Sequence, residues 1–170
     1  MVNVVKRNFE EWLSTFTPIV KDYEYYVDFK KVVKNTEKMK FELNLMNSLI
    51  GSRSIEQDFI DLVTEYPKVL KCIPLLIAVR SKNIPVLDKD KIIDYKFGAK
   101  DQDPKFFVEF MKKTGLFDMI QNHVKTNLYD YVLGVETGLD SHARKNRTGT
   151  TMERIVEEYV KLTGKKYSHQ

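Results

Sequence analysis

The chain has 170 residues, a length that suits one domain or slightly more, and 42% of them are hydrophobic, enough to bury a core. Lys and Arg number 28 against 24 Asp and Glu, which gives a formal net charge of +4. The single cysteine excludes an intrachain disulfide and a cysteine-based zinc finger. With no secretory signal and no apolar run of about 20 residues, we expect a cytoplasmic protein without a membrane partner. Few glycines and prolines favour helices over hairpins.

The first third of the chain has helical periodicity. Apolar residues recur at helical spacing in 9–16, and Pro18 ends that segment. The long run 23–50 contains no Gly or Pro, and we interpret it as two helices that are separated near Asn35-Thr36, or as one continuous helix. Gly51 is a natural residue for the C-terminal end of a helix.

The middle of the chain mixes helices with one strand. Ser54 and Gln57 form a capping-box pattern for a helix that ends at Tyr66-Pro67. The most apolar segment, 67–80, is divided by Pro74 into a short turn and a buried helix. In the irregular segment 84–97, the residues Ile92–Phe97 are the best strand candidate.

Helices are predicted again in the last third. Asp103-Pro104 is a good N-cap and first-turn pair for a helix that runs to Gly115. We expect short helices at Leu116–His123 and after Asn127, and a final amphipathic helix from Met152 onward.

A different composition characterises residues 134–151, which we predict to be a loop. This segment has three glycines, several hydroxyl side chains and almost no apolar residues. Its cations Arg144, Lys145 and Arg147 lie just before a predicted helix start, where backbone N–H groups and the helix dipole favour a phosphate. Arginine and asparagine can also pair with guanine and adenine edges. The alternative is an ordinary solvated surface loop.

Other candidate site residues carry weaker signals. Glu153 and Glu157 share a helix face and could contribute to a Mg²⁺ site, but an ordinary acidic helix surface is the preferred interpretation for Glu157 and Glu158. The three histidines lack a metal-ligand spacing, and Cys72 is expected to pack as a small hydrophobe. A group of aromatic residues could stack on bases, although a helical core stripe is the preferred interpretation; they are Tyr23, Tyr25, Tyr26 and Phe29.

Metal-dependent nucleases of the PD-(D/E)xK type carry an acid-x-Lys pattern on a strand. The chain contains this loose pattern three times, in Asp28-Phe-Lys30, Asp94-Tyr-Lys96 and Asp103-Pro-Lys105. Only Asp94-Tyr-Lys96 lies in a predicted strand, and it lacks an upstream acid on a second strand.

A longer pattern is more specific. The segment 135–157, VETGLDSHARKNRTGTTMERIVE, closely resembles the loop and helix of the DpnII/MboI-type restriction endonucleases. The pieces YVDFK at 26–30, LMNSLIG at 45–51 and IPLLIAVR at 73–80 also resemble that family, in the same order. The resemblance spans nearly the whole chain.

The resemblance implies a type II restriction endonuclease that cleaves double-stranded DNA at GATC with Mg²⁺ and acts as a homodimer. It implies a mainly α chain in which a helical N-terminal region, residues 1–126, leads into the start of an endonuclease domain, residues 127–170. That second part would comprise the basic loop and the first helix of a PD-(D/E)xK-like α/β core. The acidic strands of the family follow this helix, so most of the core would be missing, the chain would be an inactive N-terminal fragment, and Asp94-Tyr-Lys96 would not be catalytic.

Site residues carried over by the resemblance lie in the segment 144–153. The predicted DNA contacts are Arg144, Lys145, Asn146, Arg147, Thr148 and Thr150. Glu153 matches a helix glutamate beside the metal site, which implies an auxiliary catalytic or metal-binding role. The alternatives are a helical DNA-binding module without chemistry and a helical domain whose basic loop contacts a protein.

Overall fold

The computed structural model describes residues 21–98 and 103–162, so the predicted helix at 9–16 lies outside the described residues. The described part is mostly helical with one two-stranded sheet, which confirms the predicted mainly α class. In chain order, its elements are α1 Tyr23–Tyr26, α2 Phe29–Glu37, α3 Lys40–Met46, α4 Ile55–Glu65, α5 Ile73–Leu76, β1 Asn83–Asp88, β2 Lys91–Lys96, α6 Pro104–Lys113, α7 Leu116–Asp118 and α8 Leu128–Leu162. Short 3₁₀ helices at Asn47–Leu49 and Pro67–Cys72 and a π turn at Met119–His123 join some of them.

One apolar core joins the helices, the sheet and the start of α8. It draws on α3, α4, the segment 67–76, β2, α6 and α7, and it includes Leu128 and Val132 from the first turns of α8. Cys72 is fully buried in this core, and burial raises the pKa of its thiol to about 12, so it packs as the predicted small hydrophobe. The domain boundary predicted near residue 127 stays a prediction; the chain enters α8 at Leu128.

Aromatic stacking holds the β-hairpin against α6. β1 and β2 pair antiparallel, with Ile84 opposite Tyr95 and Val86 opposite Ile93. The rings of Tyr95 and Phe97 both lie with their centroids 4.9 Å from that of Phe110. The predicted strand at Ile92–Phe97 is confirmed, whereas its partner was not predicted. Pro85 argues against a central strand, but a strand of this two-stranded sheet has a free edge where a missing N–H is tolerated.

Helix ends are only partly as predicted. Asp103 caps α6 by accepting a hydrogen bond from the Lys105 N–H at 2.9 Å, as predicted. The predicted capping box at Ser54 is wrong. The Ser54 side chain makes no capping hydrogen bond, and the Ser54 backbone N–H donates to the Ser52 hydroxyl at 3.1 Å. The predicted break near Asn35-Thr36 lies slightly later, between α2 and α3.

The most consequential difference concerns residues 134–151, for which the predicted loop is wrong. These residues form the middle of α8, a continuous helix of 35 residues, and the predicted short helix after Asn127 is its first turn. Asn127 caps it by accepting from the Asp130 N–H at 2.7 Å. Within α8, four threonine hydroxyls donate to the backbone carbonyl four residues earlier; they belong to Thr137, Thr148, Thr150 and Thr151.

None of the described helices is long and apolar enough to span a membrane. α8 is long, but charged and polar residues occur along its whole length. Its packing partners are instead the helices α1, α2, α3 and α5.

Substituting Phe107 by Ala tests the aromatic core. Phe107 is fully buried against Phe97, so its truncation should destabilise the fold by about 3–5 kcal/mol in urea unfolding. Phe41→Ala is the matched control: its ring is exposed, so the change should stay within about 0.5 kcal/mol. Equal losses for the two variants would contradict this assignment of the core.

Candidate nucleic-acid interface

Three charged residues of α8 form a stripe along one face of the helix. Glu136, Asp140 and Arg144 are spaced by four residues, so their side chains follow one another along that face. Glu136 is 3% exposed, and its carboxylate Oε2 lies 2.6 Å from the Arg80 guanidinium. This pair ties α8 to the segment between α5 and β1 and raises the pKa of Arg80 through the side-chain hydrogen bond.

The Asp140 carboxylate is the next member of the stripe and is only 1% exposed. It accepts hydrogen bonds from the Asp28 backbone N–H at 3.0 Å, from the Lys31 ammonium at 3.2 Å and from Arg144 Nε at 3.0 Å. The Asp28 N–H contributes most to lowering the pKa of Asp140 to about 2, and Lys31 and Arg144 lower it further. Asp140 therefore remains ionised at neutral pH and joins α8 to the start of α2.

Arg144 completes the stripe and joins α8 to α1. Besides binding Asp140, its Nη1 donates to the backbone carbonyls of Glu24 and Tyr25 at 3.2 and 3.3 Å. Its Nη2 lies 3.6 Å from Asp28 Oδ2. Most donors of this guanidinium are thus directed at protein acceptors, which distinguishes Arg144 from the other two cations of the segment.

Lys145, Asn146 and Arg147 are consecutive residues of α8, so their side chains point about 100° apart around the helix, and Lys145 lines the side that faces α1. All three are exposed, and within the described ranges neither Lys145 nor Arg147 pairs with a carboxylate. Thr148 and Thr150 are exposed as well, although their hydroxyls donate to the carbonyls of Arg144 and Asn146. The structure therefore presents the predicted site residues on a helix, with the two unpaired cations directed to solvent.

A shallow groove separates this part of α8 from α1. Its volume is about 210 Å³, and its lining includes Tyr25, Tyr26, Lys145, Thr148 and Met152. Tyr25 and Tyr26 are 45% and 43% exposed, and their rings make an edge-to-face contact at 5.2 Å.

The preferred interpretation of the aromatic group as a core stripe is therefore wrong. Tyr23, Tyr25, Tyr26 and Phe29 are all exposed. α1 has only four residues and buries none of them, so its side chains do not share the core-facing stripe of a long helix. The acidic residues Asp22, Glu24 and Asp28 between the aromatics were the available signal for an exposed segment.

The carboxylates of the described residues do not form a metal site. No group of three His, Cys, Asp or Glu side chains in the described ranges is placed to hold a metal ion. Glu153 is exposed, and Glu157 forms an ion pair with Lys161 at 3.1 Å. Mg²⁺ needs one or two carboxylates in a near-octahedral set, and the buried Asp140 and Glu136 are already occupied by cations.

The remaining candidates also lack an arrangement for chemistry. Asp94 and Lys96 are exposed on β2 while Tyr95 between them is buried, and Asp94 belongs to no group of three potential metal ligands within the described residues. His123 is exposed beside Asp118 at 3.3 Å, and His142 is exposed on α8. His169 lies outside the described residues.

Sequence comparison gives the class of protein: the relatives of this chain are type II restriction enzymes. The model of the DpnII restriction endonuclease family matches residues 8–170, so the chain belongs to this family. The family resemblance expected from the sequence is confirmed.

Three relatives illustrate the extent of the match. Type II restriction enzyme DpnII of Streptococcus pneumoniae is 49% identical over 160 residues, which cover 93% of this chain and 55% of the relative. MjaIII of Methanocaldococcus jannaschii is 38% identical over 158 residues, 90% of this chain and 54% of the relative. MboI of Moraxella bovis is 34% identical over 158 residues, which cover 90% of this chain and 55% of the relative. The chain thus spans about half the length of these relatives, and no solved structure matches it.

Asp140→Asn tests the buried carboxylate. A carboxyl whose pKa is lower in the folded than in the unfolded state stabilises the fold at any pH above its unfolded pKa. For Asp140 the unfolded pKa is ordinarily 3.8 and the folded pKa is about 2, so the stabilisation is lost as the pH falls through this range. We expect the variant to lose about 2 kcal/mol of unfolding free energy at pH 7, a difference that shrinks between about pH 4 and pH 2.

The measurement is urea unfolding across that pH range. Asp94→Asn removes an exposed carboxylate and serves as the control with no expected change. A loss for Asp140→Asn that stayed constant down to pH 2 would mean that the ionised carboxylate is not the source of the stability.

Proposed function

We propose that this chain is the DNA-contacting part of a type II restriction endonuclease that hydrolyses phosphodiester bonds of double-stranded DNA at GATC sites. The observation that carries the proposal is the exposed segment 145–150 of α8, in which neither Lys145 nor Arg147 pairs with a carboxylate of the described residues, on a helix that Asp140 fixes to the fold. The names of the relatives, all type II restriction enzymes, support the same activity.

Each residue of this surface has a chemical role in the proposal. Lys145 contacts a phosphate as a compact point charge, while Arg147 and Asn146 have the planar geometry that pairs bidentately with guanine and adenine edges. A helix fits the major groove of B-DNA, where all four base pairs can be distinguished. Thr148 and Thr150 offer hydroxyl oxygens at the same surface, and Arg144 acts as a positioning residue.

The same proposal divides the chain into two parts. Residues 1–126 form the helical N-terminal region, and residues 127–170 begin the endonuclease domain with its PD-(D/E)xK-like core. GATC reads the same on both strands, so a two-fold homodimer matches the symmetry of its site.

Catalysis is proposed for the full-length enzyme rather than for the described residues. We assign the Mg²⁺ requirement to the full-length enzyme, with its main acidic ligands outside the described residues and Glu153 in an auxiliary role. Since no group of three potential ligands in the described residues is placed to hold a metal ion, we derive no catalytic step from them.

A second candidate function is a helical DNA-binding or protein-interaction module without chemistry. The observation in its favour is that the described carboxylates do not converge on a common site. This second candidate uses the same DNA-contacting residues of α8, but it predicts DNA binding without cleavage.

Replacing both Lys145 and Arg147 by Ala tests the DNA surface. We expect weaker binding to a GATC duplex and a slope of log affinity against log salt that is lower by about 2, one per lost phosphate contact, or less where Arg147 contacts a base. Lys105→Ala with Lys125→Ala removes the same charge elsewhere on the surface and should leave the slope unchanged. Unchanged affinity in the α8 double variant would remove the support for a DNA role of this surface.

Cleavage is tested with the 170-residue chain and with a full-length enzyme that contains it. The full-length enzyme should cut a GATC plasmid with Mg²⁺ and not with EDTA, while the 170-residue chain should bind DNA without cutting. Failure of the full-length enzyme to cut, with DNA binding retained, would favour the non-catalytic module.

A further inference from the structure

A row of lysines runs along the outer surface of α2 and ends at its C-cap residue, Lys38. Lys30, Lys34 and Lys38 are spaced by four residues, so they share one helix face at intervals of about 6 Å. All three are exposed. In the described part of the chain, Lys30 and Lys34 pair with no carboxylate, and the Lys38 ammonium donates only to the neutral Asn35 side chain at 3.4 Å.

The orientation of this row is set by the buried side of α2. Val32 and Thr36 face the core, and Lys31 is the lysine of the segment whose ammonium binds Asp140. Since that bond fixes the rotation of α2 against α8, the neighbouring residues 30, 34 and 38 are held on the solvent side. The row is therefore a fixed feature of the fold.

Next to the row lies a shallow apolar surface. Phe29 and Val33 are both exposed and line an open groove together with the three lysines. The acidic residue in this groove is Glu37, whose carboxylate lies 3.5 Å from the Lys40 ammonium. The groove thus combines an apolar floor with a cationic edge.

This row is continuous with the surface proposed to bind DNA. Lys30, Phe29 and Arg144 line a common depression, and Arg144 also lines the groove that contains Lys145. A polyanion that extends from α8 to the lysines of α2 crosses this depression, whose lining also includes Glu24 and Asp28, while Arg144 is engaged by protein acceptors and adds no free charge.

We propose that Lys30, Lys34 and Lys38 form a second DNA contact that follows the phosphate backbone beyond the α8 surface. The row is about 12 Å long, so its three ammonium groups are far enough apart to contact separate phosphates of one strand. Lysine ammonium groups bind phosphates as point charges, so this contact adds affinity but carries no sequence information. The inference rests on the proposed DNA-binding function and extends its interface to α2.

The test compares three triple variants of the 170-residue chain on a GATC duplex and on a scrambled duplex. Changing all three lysines to Ala should lower the salt slope by about 3 and weaken binding equally on both duplexes. Changing them to Arg should preserve the slope because the charges remain. Lys89→Ala, Lys91→Ala and Lys125→Ala remove three charges elsewhere and should leave the slope unchanged.

The outcomes separate the two proposals. If Lys145→Ala with Arg147→Ala weakens binding but the α2 triple variant keeps the wild-type slope, the α2 contact is overturned and the α8 surface stands. If the wild type binds neither duplex, both proposals fall, and selective binding to anionic vesicles would reassign the lysine row. Urea unfolding of each variant confirms that affinity changes do not reflect unfolding, since all substituted side chains are exposed.

Discussion

The buried Asp140 carboxylate is the constraint on which the arrangement of helices depends. A charge removed from water is tolerated only with donors that replace its hydration, and here they come from three places in the chain: the Asp28 backbone, Lys31 and Arg144. Two of these donors belong to the start of α2, more than 100 residues earlier in the sequence. Satisfying one carboxylate therefore fixes the position of α1 and α2 along α8.

The same constraint explains how α8 continues through three glycines. A glycine within a helix costs about 1 kcal/mol relative to alanine, and Gly134, Gly138 and Gly149 all lie inside this one. The buried pairs of Glu136 with Arg80 and of Asp140 with Lys31 and Arg144 anchor the stretch between the first glycine and the last. The consequence for function is that Lys145, Asn146 and Arg147 are presented on a rigid element rather than on a loop.

Local signals in the sequence were sufficient where the structure depends on local interactions. The Asp103-Pro104 cap, the positive-φ stop at Gly51 and the strand at Ile92–Phe97 could be predicted from neighbouring residues. The loop assigned to 134–151 failed because composition alone does not reveal partners more than 50 residues away, such as Arg80 and Asp28. Tyr25 and Tyr26 were misassigned for a similar reason: a four-residue helix has no inward stripe, and the carbonyls of Glu24 and Tyr25 accept hydrogen bonds from Arg144, which is distant in the sequence.

The candidate site shows why charge must be assigned residue by residue. Arg144 and Arg147 are indistinguishable in the sequence, yet one guanidinium is directed at four protein oxygens and the other at solvent. On α2, likewise, the Lys31 ammonium binds Asp140, whereas the neighbouring Lys30 and Lys34 are directed at solvent. Buried acids thus take up the cations that stabilise helix packing and leave unpaired those that face outward. The net charge of +4 does not reveal this division, in which Lys30, Lys34, Lys145 and Arg147 are exposed on α2 and α8 while Lys31 and Arg144 bind Asp140 between the two helices.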